Sequence, residues 1–203
     1  MLTFRKSRSF EYRAWRISIL AAGWTLLASP VTLVLGVLTN SAALASLGAV
    51  GLVDAVGSLA LVFHFHHLVH HDTVSTRLEQ RAHRLVSFGL VAVGGAALFG
   101  ALLTLLHHAP PHPSLLTIGW PALTAPVLWL LAVKKRALAT ALGDRALRAD
   151  AHLSAVGATQ AVIALAGLAL VAAGWWWADP LAASMVGALS VSLGVASFRA
   201  PAP

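Results

Sequence analysis

The sequence predicts an all-α protein, a polytopic membrane bundle of six transmembrane helices with both termini in the cytoplasm. Three observations lead there. Of 203 residues, 58% are hydrophobic and only 10% are charged. Soluble domains carry about a quarter charged residues, so this chain cannot cover a soluble globule and suits lipid as its solvent. Six apolar stretches occur, each close to the roughly 20 residues that cross a hydrocarbon core. Every Lys and Arg falls on one side of the topology that those stretches define.

The stretches are Ile17–Leu38, Ala43–Leu68, Leu85–Leu106, Leu115–Val133, Leu153–Ala173 and Pro180–Phe198. Polar or Pro-rich segments separate them. Thr39-Asn40-Ser41 reads as a tight turn, and the segment from His71 to Arg77 starts a longer loop. The prolines of His107-His108-Ala109-Pro110-Pro111-His112-Pro113 forbid a continuing helix. Gly174 to Pro180 is another break. The membrane domain thus covers 17–198, between a short basic N-terminus at 1–16 and a tail at 199–203. Six spans nearly exhaust the length and leave no room for a separate catalytic domain.

The basic residues test the span count independently of hydropathy. Arg5, Lys6, Arg8, Arg13 and Arg16 precede the first span. Arg77, Arg81 and Arg84 lie between the second and third, and Lys134, Lys135, Arg136, Arg145 and Arg148 between the fourth and fifth. Arg199 follows the sixth, which accounts for all 14. Each is reached after an even number of crossings, so the positive-inside rule places both termini in the cytoplasm. The basic start and first apolar run look like a signal peptide, but the run is too long and the charge pattern needs it retained as a span. Trp15, Trp120 and Trp175-Trp176-Trp177 fit the membrane interfaces. Trp24 and Trp129 lie deeper and read as packing residues.

Composition also excludes several functions. There is no cysteine, hence no disulfide and no thiolate chemistry. The net charge of +7 sits in short loops without aromatic interleaving, which argues against nucleic acid and for contact with anionic lipid. No Gly-rich phosphate loop, nucleophile elbow or paired glycosidase carboxylates occur, so an enzyme is not expected. Arg far outnumbers Lys and Ala is abundant, which suggests a bacterial source and the cell membrane.

Small residues mark the third span (Gly89, Gly94, Gly95, Gly100) and the sixth (Ala183, Gly187, Ser190, Gly194). Such spacing lets helix backbones approach closely. It serves either packing inside the bundle or a homodimer seam through helices 3 and 6.

Asp54 is the first candidate site residue. It is the only acid deep in any span, where a charge costs roughly 2.5–3.5 kcal/mol on insertion scales. It therefore faces an ion, a partner or a cavity, or is a protonated acid bonded to a neighbouring helix. A second group, His64-Phe65-His66-His67-Leu68-Val69-His70-His71-Asp72, runs off the end of the second helix. At 100° per residue His64, His67 and His71 fall within about 60° of one another. His70 and Asp72 add donors, and His83 approaches from the third helix. The cluster reads as a transient metal site or as an interfacial polar collar. It lies roughly 15 Å along the helix from Asp54, so these are separate sites. Asp150 reads as an N-cap or first-turn acid of the fifth helix. His152, about 200° away around that helix, is a candidate ligand or proton carrier. Asp179-Pro180 reads as the N-cap and first residue of the sixth helix.

Three stretches carry a family resemblance: Ser41 to Leu44 continuing through Gly51-Leu52-Val53-Asp54-Ala55-Val56-Gly57-Ser58; Arg148-Ala149-Asp150-Ala151-His152-Leu153-Ser154-Ala155-Val156-Gly157; and Trp176-Trp177-Ala178-Asp179-Pro180-Leu181-Ala182-Ala183. They resemble the second helix, the start of the fifth and the junction into the sixth in the cation diffusion facilitator family. That resemblance implies six helices, homodimers, and export of zinc-like divalent cations against protons, with the metal as cargo and no tightly bound cofactor. It also implies four ligand positions, which fall on Val50, Asp54, Leu153 and Gly157. Only Asp54 keeps a donor, and His152 is displaced by one residue. The family's cytoplasmic C-terminal domain has no counterpart in the residues that follow the sixth span. The expected metal residues are thus Asp54 and His152 in the bundle, and His64, His67, His70, His71, Asp72 and His83 at its cytoplasmic edge. Two readings follow: a divalent-cation transporter, or a non-transporting relative that acts as a metal-responsive accessory or scaffold subunit.

Overall fold

A helix in lipid is apolar on every side, so periodicity says little about which face turns inward. Burial in the folded chain answers that question. The computed structural model describes residues 2–71, 76–108 and 111–199, apart from the side chains of 2–9, 11, 61, 64–71, 76–83 and 146. The described chain is all-α. Its helices are α1 (Leu2–Leu38), α2 (Ala42–His71), α3 (Thr76–His107), α4 (Leu115–Leu142), α5 (Arg145–Ala172) and α6 (Ala178–Arg199). Each contains an apolar portion long enough to cross a membrane.

The largest departure from expectation is at the fourth and fifth helices. The basic segment after Val133 is helix rather than loop, because Lys134-Lys135-Arg136-Ala137-Leu138-Ala139 is a run of strong helix formers with no breaker. The helix ends where Gly143 takes a left-handed φ of 68° and donates its N–H to Ala139 O. Asp144 then caps α5 by accepting from Leu147 N at 2.8 Å. The two helices therefore form a tight hairpin. Asp150 lies well inside α5 and is not its cap. At the other end of α4, Ser114 and Thr117 form a reciprocal capping box after the Pro-rich turn.

The most extensive packing is of α1 on α2, α4 on α5 and α3 on α6. α2 also touches α3, α5 and α6, which puts it at the centre. Glycines make the seams close. A Cβ on Gly48 would overlap the Leu33 backbone of α1. A Cβ on Gly94 would lie 2.7 Å from Gly187 O, and one on Gly187 would lie 2.8 Å from Gly94 O. Ala183, Ser190 and Gly194 are buried on the same seam side of α6. Of the small residues expected to serve either packing or a homodimer seam through helices 3 and 6, Gly94, Gly187 and Gly194 thus join α3 to α6 within one chain, whereas a Cβ on Gly89 would meet Val53 of α2 and one on Gly100 would meet nothing within 4 Å. Gly95 likewise has nothing near it.

Large apolar side chains cover the outside, among them Leu27, Phe88, Phe99, Leu116 and Trp129. Only 22% of the apolar window of α3 is buried. A surface this apolar is matched to lipid rather than water. Trp129 belongs to that surface and is not a packing residue. Trp24 packs as expected, stacked on Trp120 with ring centroids 6.5 Å apart, while Trp120 Nε1 donates to Thr32 Oγ1 at 2.8 Å.

On the side opposite the termini, Asp179 ties two helices together. It lies in the first turn of α6 but caps α2, not α6 as its sequence position suggests. Ser41 Oγ donates to its Oδ1 at 2.6 Å, and the Ala42 and Ala43 N–H groups donate to its Oδ2 at 2.7 and 3.4 Å. A carboxylate there answers both the open N–H groups and the positive end of the helix dipole.

Candidate ion site

Two helices bring an acid and a serine to the interior at the same spacing. Asp54 and Ser58 lie one turn apart on α2, and Asp150 and Ser154 lie one turn apart on α5, in the matching stretches Asp54-Ala55-Val56-Gly57-Ser58 and Asp150-Ala151-His152-Leu153-Ser154. Residues at this spacing share a helix face. Consecutive crossings make α2 and α5 antiparallel, so the serine of each meets the level of the other's acid. Ser58 Oγ donates to Asp150 Oδ1 at 3.3 Å.

α4 supplies the cation. Lys135 Nζ stands 2.6 Å from Asp150 Oδ2, with the two side chains 1% and 3% exposed. It also donates to Ser154 Oγ at 2.9 Å. The Asp150 contact is close but poorly aligned as a hydrogen bond, so charge attraction carries it. Asp54 lies within electrostatic range of both members of the pair. It is half-buried, and its Oδ1 is fully enclosed and accepts no hydrogen bond. The described centre therefore holds two carboxylates and one ammonium.

Asp54 borders a cavity of about 50 Å³ walled by α1, α2, α4 and α5, with contributions from α3 and α6. Val50, Leu153 and Gly157 line the same cavity. The four positions that the family resemblance marks as ligands thus converge in space, although three carry no donor. Thr25, Thr32, Thr124 and Gln160 supply most of its other polar lining. Gln160 is held by donation from Nε2 to Ser190 Oγ at 2.9 Å.

The other expected site residues are placed differently. His152 is exposed on α5, turned away from Asp150, and is not part of the cavity wall. The side chains of His64, His67, His70, His71, Asp72 and His83 lie outside the described residues. Among the described residues, no three His, Cys, Asp or Glu side chains converge as a metal site.

Lys135 and Asp150 are the functional candidates that sequence reasoning misplaced, one as a loop base and the other as a cap. The unbroken helical run through Lys135 and the repeated Asp-Ala-x-x-Ser pattern were the signals that mark them. No protein-family model and no curated protein sequence matches this chain.

Proposed function

We propose that this chain is a secondary transporter of cations in which Asp54 bears the ion. The observation that carries this reading is the position of Asp54, which lines a cavity together with Val50, Leu153 and Gly157 and whose Oδ1 accepts no hydrogen bond. An unpaired carboxylate in a membrane interior is costly and marks ion or proton pathways. The resemblance to cation diffusion facilitators makes a zinc-like divalent ion, exported against protons by a homodimer with cytoplasmic termini, the first substrate to test. In this reading the histidines at the end of α2 gather metal at the entrance, and their neutral-range titration lets proton and ion compete.

Purified protein in proteoliposomes should move zinc, manganese or cobalt under a proton gradient, and Asp54→Ala should stop this while the protein still folds. Absence of flux for all three divalent ions sinks the zinc-like reading, and absence of sodium and rubidium flux as well sinks cation transport. Zinc titration of a variant with His64, His67, His70 and His71 changed to Ala tests the entrance separately, since unchanged binding leaves only a polar collar there.

A second reading has its own support. Asp150 is ion-paired and Asp179 hydrogen-bonded inside the fold, as in a protein whose polar interior is structural. A non-transporting accessory or scaffold subunit then follows, and Asp54→Ala changes neither flux nor zinc binding.

A further inference from the structure

The charges at the centre set the charge of the ion. Lys135 already neutralises Asp150, so Asp54 is left as the one carboxylate in the cavity wall without a cationic partner in hydrogen-bonding contact. In a low-dielectric interior an uncompensated charge is costly. With Asp54 ionised, one positive charge beside it closes the balance. A divalent ion leaves one positive charge in excess, beside an ammonium that repels it.

The lining points the same way. Thr25, Thr32 and Thr124 donate their hydroxyl hydrogens to Ala21 O, Ala28 O and Trp120 O, at 2.7, 2.7 and 2.9 Å. A hydroxyl has one hydrogen, so these three offer a ligand only lone pairs. Hydroxyl and carboxylate oxygens suit a hard cation, whereas zinc favours four donors that include nitrogen or sulfur. Trp24 lines the same cavity, and its enclosed Nε1 has no acceptor. At about 10–15 Å³ per water, the cavity of about 50 Å³ has room for an ion with a few waters.

We propose that Asp54, with threonine hydroxyls that line the same cavity, forms a site for one partly hydrated monovalent cation of the sodium type. This rests on the proposed ion-bearing role of Asp54 and specifies the charge of what it carries. Lys135 on α4 and Asp150 on α5 are the charged groups beside it, and their pairing sets the preference.

The test is equilibrium binding of ²²Na⁺, ⁸⁶Rb⁺ and ⁶⁵Zn²⁺ to the full chain in nanodiscs, with choline chloride holding ionic strength constant. The expected result is saturable monovalent binding at one ion per chain that falls about ten-fold or more in Asp54→Asn and several-fold in Thr124→Val. The bound cation should also raise the thermal midpoint of the native chain and not that of Asp54→Asn. Because Asp54 Oδ1 makes no hydrogen bond, Asp54→Asn should unfold no earlier than the native chain in choline, which separates lost binding from lost folding. Zinc binding that depends on Asp54, without sodium or rubidium binding, overturns the monovalent assignment and leaves cation transport standing. Absence of Asp54-dependent binding for all three ions overturns both.

Discussion

Lys135 Nζ on α4 lies 2.6 Å from Asp150 Oδ2 on α5, and water reaches almost none of either side chain. Bringing two charges out of water costs several kcal/mol each, and their attraction offsets that only when the remaining donors and acceptors are also satisfied. Ser154 Oγ accepts a hydrogen bond from the ammonium, and Ser58 Oγ donates one to Asp150 Oδ1, while Oδ2 accepts none. The pair therefore depends on both members more than it adds to stability.

Removing one member should be far worse than removing both. Lys135→Met leaves a buried carboxylate without its partner and should cost about 3–5 kcal/mol. Lys135→Met combined with Asp150→Leu should recover most of that loss. Unfolding in mixed micelles gives the coupling energy through a double-mutant cycle. Additive effects would show that the two side chains do not interact.

Adjacent lysines should differ in reactivity. Lys134 is exposed and Lys135 is 1% exposed. An amine-acylating reagent applied to folded protein should label Lys134 and spare Lys135, with the contrast lost on unfolding. Peptide mass spectrometry reads this directly, and equal labelling would place Lys135 in a water-exposed loop.

Asp179 should matter through α2 rather than α6. Asp179→Ala leaves the Ser41 hydroxyl and the Ala42 and Ala43 N–H groups without their acceptor. The expected loss is roughly 1–3 kcal/mol, with Asp179→Asn milder because its amide oxygen still accepts. Hydrogen exchange should rise first at the start of α2. Protection lost first at the start of α6 would reverse the assignment.

Six spans were legible because apolar length and one-sided charge are both local properties of the chain. Asp54 was legible for a related reason, since depth follows from position within a span. Lys135 was not. A lysine near a span end reads equally well as an interfacial anchor or as a buried partner, and only the neighbouring helix decides between them. Asp150 hid behind a better cap, Asp144, just upstream. Trp129 shows the same limit, because depth in the bilayer does not say whether a ring faces lipid or protein. For Gly94 and Gly187, spacing showed that something must approach closely but not whether it belonged to the same chain.

The α3–α6 seam has its own signature in mutagenesis. Gly187→Val should destabilise by about 1–3 kcal/mol through overpacking, since a Cβ there meets Gly94 O at 2.8 Å and Leu98 Cγ at 3.0 Å. Gly95→Ala, with nothing within 4 Å, should be neutral or slightly stabilising through helix propensity. Thermal midpoints of the two variants compare them, and similar losses would place Gly95 in an interface as well.

The tight turn at Gly143 and Asp144 bears on how such a centre enters a membrane at all. A lone lysine or aspartate resists insertion into hydrocarbon. Here the two charges sit on neighbouring arms of one hairpin, so they can neutralise each other as soon as α4 and α5 leave the ribosome, before α6 exists. The buried face of the helical pair that reaches lipid then carries no net charge. Asp54, already inserted on α2, has no such partner on the same hairpin.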